Sequence, residues 1–477
     1  MKSKGIDQSL NKPSLSSMKT LWLFSGRLIP AIVLFVIFIL FSRKLSYQDY
    51  GAFQSVWMYT NIVNVIIGFG ISSIIFSTNL NFLFYFARKN KNRLFLFYAL
   101  LSLLTFLLFF LFSKNISPSL KILLIFFTLV QTTTSISDSL LIKQKGEKKS
   151  FIINFFYAVF FLGWHLYILN THYSLFTLIG GILILSIFKW IVILLIPAIK
   201  ESKTISYDES QFLKHWSYLG LNDVLGILAK WIDKFFLVFL LSAADFAIFF
   251  NGSFEIPLFG LLISVAGIFL TTEISADLFS TEKIKKIYLD TFNNLSAIVF
   301  PLFFFLFFFK EELFSFAFQD KYQASLPIFV ISIFILPLRI NNYTAILQCF
   351  SKGNIILLGA LIDILLAILF MVILYPMMGT RGIVLAPVLA TTLQSIFYVW
   401  QSAKALHIKT IELIPLKNLM IKWLLYASLF YCTSLLLQNF PLFIKLGCAA
   451  FITFLIIIIG SWKYINPLFR SLPGYQK

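Results

Sequence analysis

A chain of 477 residues that is 59% hydrophobic and only 12% charged has too little polar surface to cover a water-soluble globule of its size. Its 39 Lys and Arg against 20 Asp and Glu leave a net charge of +19, which in a soluble protein would point to nucleic acid. Here the basic residues sit in loops between long apolar runs, so no nucleic-acid partner is expected, and the chain reads as an all-α, polytopic integral membrane protein.

About 20 mostly polar residues precede an apolar run at 21–42, which is longer than a signal-peptide core and lacks a small-x-small cleavage site. It is expected to be a retained first span. A hydrocarbon core of ~30 Å needs about 20 helical residues per crossing. Runs of that length recur near 51–77, 94–113, 120–142, 151–169, 175–197, 215–241, 247–272, 291–309, 326–349, 355–376, 382–402, 419–438 and 442–465. That predicts fourteen transmembrane helices.

With the N-terminus inside, 24 Lys and Arg fall in inner segments and 6 in outer loops, which by the positive-inside rule puts both termini in the cytoplasm. The outer loops are short, the longest spanning 310–325. The inner stretch NLNFLFYFARKNKNR mixes aromatic and basic residues; an interfacial helix and a solvated basic loop both fit it. Cys349, Cys432 and Cys448 lie in apolar segments without CxxC spacing, so neither a disulfide framework nor a metal site is indicated.

The stretch LSYQDYGAFQ (45–54) has an echo in LSAADFAIFF (241–250), with Leu-Ser first, Asp fifth, an aromatic sixth and Phe ninth in both. On the expected topology each is the outer hairpin before an even-numbered span, six spans apart. That period predicts two six-helix bundles related as a parallel pseudo-two-fold repeat, plus two further C-terminal helices. The expected organisation is a cytoplasmic tail at 1–20, an N-terminal bundle at 21–197, a linker at 198–214, a second bundle at 215–402, a loop at 403–418, two additional helices at 419–465 and a tail at 466–477.

The sequence LSYQDYGAFQSVWMYTNIVNVIIGFG, together with WIDKFFLVFLLSAADFAIFF, FQDKYQASLPIF and MMGTRGIVLAP in that order, resembles the polysaccharide and O-antigen flippase (Wzx-like) family of the multidrug/oligosaccharidyl-lipid/polysaccharide exporter superfamily. The likeness runs over roughly 20–405. It departs at Ala247 and Phe249, where the family usually carries Gly and Tyr. The resemblance implies movement of a lipid-linked oligosaccharide (O-antigen, capsule or lipopolysaccharide repeat unit) across a bacterial cytoplasmic (inner) membrane. It also implies contact with membrane lipids and with other polysaccharide-assembly membrane proteins.

Ionisable groups inside spans are costly and tend to face a cavity or one another, so they are the candidate site residues. Arg339, in LPLRINNYTAIL beside Asn341 and Asn342, falls near the middle of span ten. Span seven carries Asp223, Lys230 and Lys234 on one stripe, with Asp233 three residues from Lys230. Either this face lines a hydrated path, or Lys230 and Asp233 neutralise each other within the helix. Arg27, close to the inner end of span one, is a further candidate cavity cation with snorkelling to the inner surface as the alternative, and Lys189, deeper in span six, is another candidate that favours the interior. Cations suit a pyrophosphate cargo, which Arg binds through paired hydrogen bonds. The acids Asp138, Asp223, Asp233, Glu255 and Asp363 are candidates for coupling to a proton or sodium gradient, with structural hydrogen bonding the alternative for each. Glu255 precedes Pro257, which could open a broken-helix site. His165 is expected to be a packing residue.

Two other functions fit less well. A cation-coupled multidrug exporter of the same fold would sit better with an acidic interior. A membrane-embedded polymerase or glycosyltransferase would need acidic residues on a long outer loop; only Glu311, Glu312 and Asp320 lie there, so no catalytic residue and no cofactor are expected.

Overall fold

The computed structural model describes residues 14–470 except 113–116, 145, 172, 197–208 and 351, and between 254 and 279 it describes only 259–260, 263, 266–267, 270–271 and 273–274. The first half builds α1 (Ser14–Lys44), α2 (Tyr47–Gly68), α3 (Ile71–Ser77), α4 (Leu80–Lys89), α5 (Lys91–Phe112), α6 (Pro118–Lys143), α7 (Glu147–Asn170) and α8 (Leu175–Leu194). The second continues with α9 (Glu209–Leu237), α10 (Ala243–Gly252), α11 (Thr281–Phe308), α12 (Lys310–Phe318), α13 (Leu326–Ser332), α14 (Ile335–Leu338), α15 (Ala345–Cys349), α16 (Gly353–Met378) and α17 (Thr380–Leu406). Two helices follow, α18 (Leu416–Leu436) and α19 (Leu442–Arg470).

Among the described residues nine helices are long and apolar enough to cross a membrane, or ten if the bent pair α2–α3 is one span. The helix α9 also covers an expected span, but Asp223, Lys230, Asp233 and Lys234 interrupt its apolar character. The run 326–349 corrects the expectation of one continuous helix. It is broken into α13, α14 and α15, and residues 339–344 are not helical. Pro337 and the Asn341–Asn342 pair give the reason: proline removes a backbone donor, and asparagine side chains compete with helical hydrogen bonds. Asn342 Oδ1 accepts from the Thr344 amide at 3.2 Å and from its hydroxyl at 2.8 Å, which holds the turn.

The echoed stretches are helix starts. Ser46 caps α2 by accepting from the Asp49 amide at 3.0 Å while its hydroxyl donates to Asp49 Oδ2 at 2.6 Å. Ser242 does the same to Asp245 at the head of α10, at 3.1 and 2.7 Å. Serine and an acid three residues on satisfy amides that the first turn leaves unpaired. The two capped helices pack against each other. A Cβ at Gly51 would lie 1.8 Å from the Ala243 carbonyl oxygen, so only glycine permits that approach.

Helix pairings recur six expected spans apart. The helix α1 packs on α7, and α9 packs on α16; α6 meets α8, and α13 to α15 meet α17. The last two helices lie on α11, where Trp423 sits 4.7–5.2 Å from the rings of Phe300, Phe303 and Phe304.

Halves meet at both ends. At the Ser46 end, Arg43 Nε donates to the Ala317 carbonyl at 2.7 Å, and Lys321 Nζ donates to the Ser42 carbonyl at 3.0 Å. Tyr47 donates to the Lys321 carbonyl there. At the Gly70 end, Trp216 of α9 donates to the Phe69 carbonyl at 2.9 Å, and Gly70 abuts Gly220. The stretch NLNFLFYFARK forms α4, whose Phe82 and Phe86 are buried against Phe212 and Trp216 of α9. An ion pair between Lys89 and Glu209 closes that end, and it holds the Lys89 ammonium above its ordinary range.

Candidate functional site

Two cavities lie in the second half and share a wall. One, of about 400 Å³, is bounded by α9, α13, α14, α16 and α17 and lined by Lys230, Asp233, Lys234, Arg339, Asp363 and Thr391. The other, of about 510 Å³, is lined by Arg339, Asn342, Thr344, Asp363, Gln394 and Tyr398 among others. Arg339, Asp363 and Thr391 belong to both.

Arg339 reaches this position because α14 ends one residue before it. Non-helical backbone at membrane depth is tolerated where it lines a cavity or is buried in protein; Arg339 and residues 341–344 line the second cavity, and Ile340 is buried in the core. The break therefore both creates the cavity wall and sets the guanidinium at the junction. Thr391 Oγ1 lies 3.5 Å from Asp363 Oδ1, linking α17 to α16.

Asp233 and Lys234 are each 6% exposed and form an ion pair at 3.0 Å. A buried pair of this kind survives only with its charges matched, since an uncompensated charge in a low dielectric is strongly unfavourable. Lys234 also lies 5.8 Å from the centre of the Trp231 ring. Lys230, four residues earlier on the same helix, is exposed to the cavity it lines.

The remaining candidates lie elsewhere. Asp138 accepts from the Ser150 hydroxyl at 2.6 Å and from Asn154 Nδ2 at 3.2 Å. Asn154 Oδ1 in turn accepts from Lys189 Nζ at 2.7 Å, and the same ammonium lies 4.8 Å from the centre of the Tyr157 ring. This is a polar network inside α6, α7 and α8, apart from both cavities. Asp223 accepts from the Ser73 hydroxyl at 2.7 Å, across the junction of α3 and α9. Arg27 is exposed on α1 and lines neither cavity. Glu255 and Pro257 lie outside the described residues. His165 is fully buried among Phe41, Phe53 and Phe161, with Nδ1 2.7 Å from the Phe161 carbonyl. No group of three or more potential metal ligands occurs among the described residues.

Sequence reading alone missed Thr391, Gln394 and Tyr398. Their spacing of three and four residues puts them on one face of α17, and that periodicity in TTLQSIFY was the available signal. Uncharged polar residues in an apolar helix draw less notice than charges, although they too seek a wet or polar surface.

The chain matches the model of a family described as "Polysaccharide biosynthesis protein" over residues 40–327. Among solved structures it is similar to lipid II flippase MurJ in an inward closed conformation, with a TM-score of 0.66 at 16% identity, covering 95% of this chain and 100% of that one. It is similar to an inward-facing multidrug resistance MATE family transporter of the MOP superfamily, with a TM-score of 0.56 at 14% identity and coverages of 81% and 98%. A MOP superfamily transporter from Pyrococcus furiosus, whose binding pocket is described as reversed in polarity, gives 0.57 at 14% identity with coverages of 83% and 96%. No curated protein matches the sequence. At these identities the likeness to solved structures carries the fold alone: the chain is an all-helical, polytopic membrane protein of MOP-like fold.

Proposed function

The chain belongs to the polysaccharide biosynthesis protein family, and from that premise we propose that it is a flippase for a polyprenyl-pyrophosphate-linked oligosaccharide. The cargo would be an O-antigen, capsule or similar repeat unit, crossing a bacterial inner membrane whose cytoplasmic face holds both termini. The observation that carries this reading is Arg339, set at a helix break and shared by the two cavities. A guanidinium in a low-dielectric cavity can hold a pyrophosphate through paired hydrogen bonds, and Lys230 adds positive charge on one side of it, while Lys234 is balanced by Asp233.

The reading takes the chain as fourteen crossings, in two six-helix units and a C-terminal pair. The recurring helix pairings support it. Opening the Gly70 end would admit the head group from the cytoplasm, and opening the Ser46 end would release it, while the polyprenyl tail stays in lipid. Asp233 and Asp363 stand in the cavity where a proton or sodium ion could bias the exchange. Asp223 sits at the Gly70 end, where its bond to Ser73 would break on opening. Asp138 and Lys189 would act as a fixed strut of the first unit, and Arg27 as a cation near the inner surface.

The test is transport by the full chain in vesicles. The account expects movement of a lipid-linked oligosaccharide and none of organic cations. Export of organic cations without movement of the glycolipid would favour the multidrug alternative and overturn this one.

A further inference from the structure

We propose that the second cavity is a carbohydrate subsite that takes the uncharged sugar ring next to the pyrophosphate. This rests on the reading that the cargo is a pyrophosphate-linked glycolipid. The two cavities differ in chemistry. Lys230, Asp233 and Lys234 line only the first. The second owes its polarity to the amides and hydroxyls of Asn342, Thr344, Gln348, Gln394, Ser395 and Tyr398, and its charged lining residues, Arg339 and Asp363, both lie on the shared wall.

Amides and hydroxyls offer donors and acceptors together, which is what a ring bearing several hydroxyls or an acetamido group requires. Several of these side chains are already held. Gln394 Nε2 donates to the Gly359 carbonyl at 3.1 Å, and Tyr398 donates to the Ile356 carbonyl at 2.7 Å. Gln348 Nε2 donates to Thr344 Oγ1 at 2.9 Å. With one end of each amide anchored, Oε1 of Gln348 and Gln394 is left to accept from a ligand at little further ordering cost. Gly267 contributes by what it lacks, since a Cβ there would fall 2.7 Å from Asn342 Nδ2.

The volume of about 510 Å³ lies within the ~300–1,000 Å³ range of pockets that enclose small ligands, which leaves room for a mono- or disaccharide. Because Arg339 lines both cavities, a pyrophosphate bound to it would direct its first sugar into the second. With Arg339 taken up by the pyrophosphate, a carboxylate on that sugar would be left facing Asp363 and would gain nothing.

Binding to the full chain in lipid nanodiscs tests this with three probes. They are polyprenyl pyrophosphate without sugar, the same lipid carrying one N-acetylhexosamine, and the same lipid carrying one hexuronic acid. The N-acetylhexosamine lipid is expected to bind about tenfold more tightly than the bare lipid, the gain of one or two well-placed hydrogen bonds. The uronic lipid should gain nothing. Changing Gln348→Ala and Gln394→Ala together should abolish the sugar-dependent gain while bare-lipid affinity, which also reports intact folding, stays within about twofold. Gln348→Ala alone, at an exposed position, should remove part of the gain. Persistence of the full gain in the double variant, or equal binding of the uronic lipid, overturns the subsite and leaves the flippase reading standing. Failure of the wild-type chain to bind bare polyprenyl pyrophosphate overturns both.

Discussion

The Tyr50 hydroxyl donates to Asn251 Oδ1 across 2.9 Å, and Gln54 Nε2 donates to the same oxygen at 3.2 Å. All three residues are buried where α2 crosses α10, so a polar knot ties the two halves together inside an apolar interface. Tyr50→Phe removes one of its hydrogen bonds and keeps the ring packing against Phe53 and Tyr322. The expected cost is about 1 kcal/mol, measured as a lowered midpoint of thermal unfolding in detergent. An unchanged midpoint would show that the knot contributes nothing to holding the halves together.

Gly51 and Gly70 each mark a close backbone approach between halves, and each tests one end. A Cβ at Gly70 would lie 2.6 Å from the Gly220 backbone, and the residue has φ of +69°, so Gly70→Ala meets both a clash and backbone strain. Each substitution, Gly51→Ala and Gly70→Ala, is expected to destabilise the closed arrangement by about 1–3 kcal/mol. Loss of cross-linking between cysteines placed on facing helices would read this out, with Gly51→Ala affecting the Ser46 end and Gly70→Ala the other. Equal cross-linking in variants and parent would contradict the packing described.

The Asp138–Asn154–Lys189 network should behave as one unit. Removing a single charge, by Asp138→Asn or Lys189→Met, takes one charged partner from Asn154 and is expected to cost about 1–3 kcal/mol. The double variant should cost less than the sum of the singles, giving a coupling energy of about 0.5–3 kcal/mol in a double-mutant cycle. Additive effects would mean that the two charges do not act through Asn154.

At the loop between α17 and α18, Glu412 accepts from Lys285 Nζ at 2.6 Å, and this bond holds its carboxyl below the ordinary value of 4.5. A depressed carboxyl contributes stability that is present above its unfolded value and is lost as pH falls through the lower folded one. Amide protection of residues 408–414, corrected for intrinsic exchange, should therefore hold at neutral pH and decline only beneath pH 4.5. Glu412→Gln should remove that decline. A transition near neutrality would contradict the pairing.

Much of the helical framework was legible because apolar runs between basic loops are set by the thickness of the membrane and the sidedness of charge. The stretches holding Ser46 and Ser242 were legible as an echo with a fixed period and read as outer hairpins, while the serine caps and the pairing of the helices they start came from the structure. The site was less legible. Lys189 and Lys230 both read in sequence as cations within a span, yet one is tied into the α6–α8 network and the other lines the cavity. Neighbours on other helices decide that difference, and no local pattern encodes them. Arg339 was found by its charge, but the break that puts it at the cavity wall depended on weighing Pro337 and two asparagines against a strongly apolar run.

The most direct test of the central claim is the initial rate of lipid-linked oligosaccharide movement by Arg339→Gln, beside Arg339→Lys and the parent chain, each reconstituted as folded protein. The account predicts that Gln lowers the rate by about tenfold or more and that Lys, a point charge without the planar fork, falls between. Equal rates for all three would contradict it.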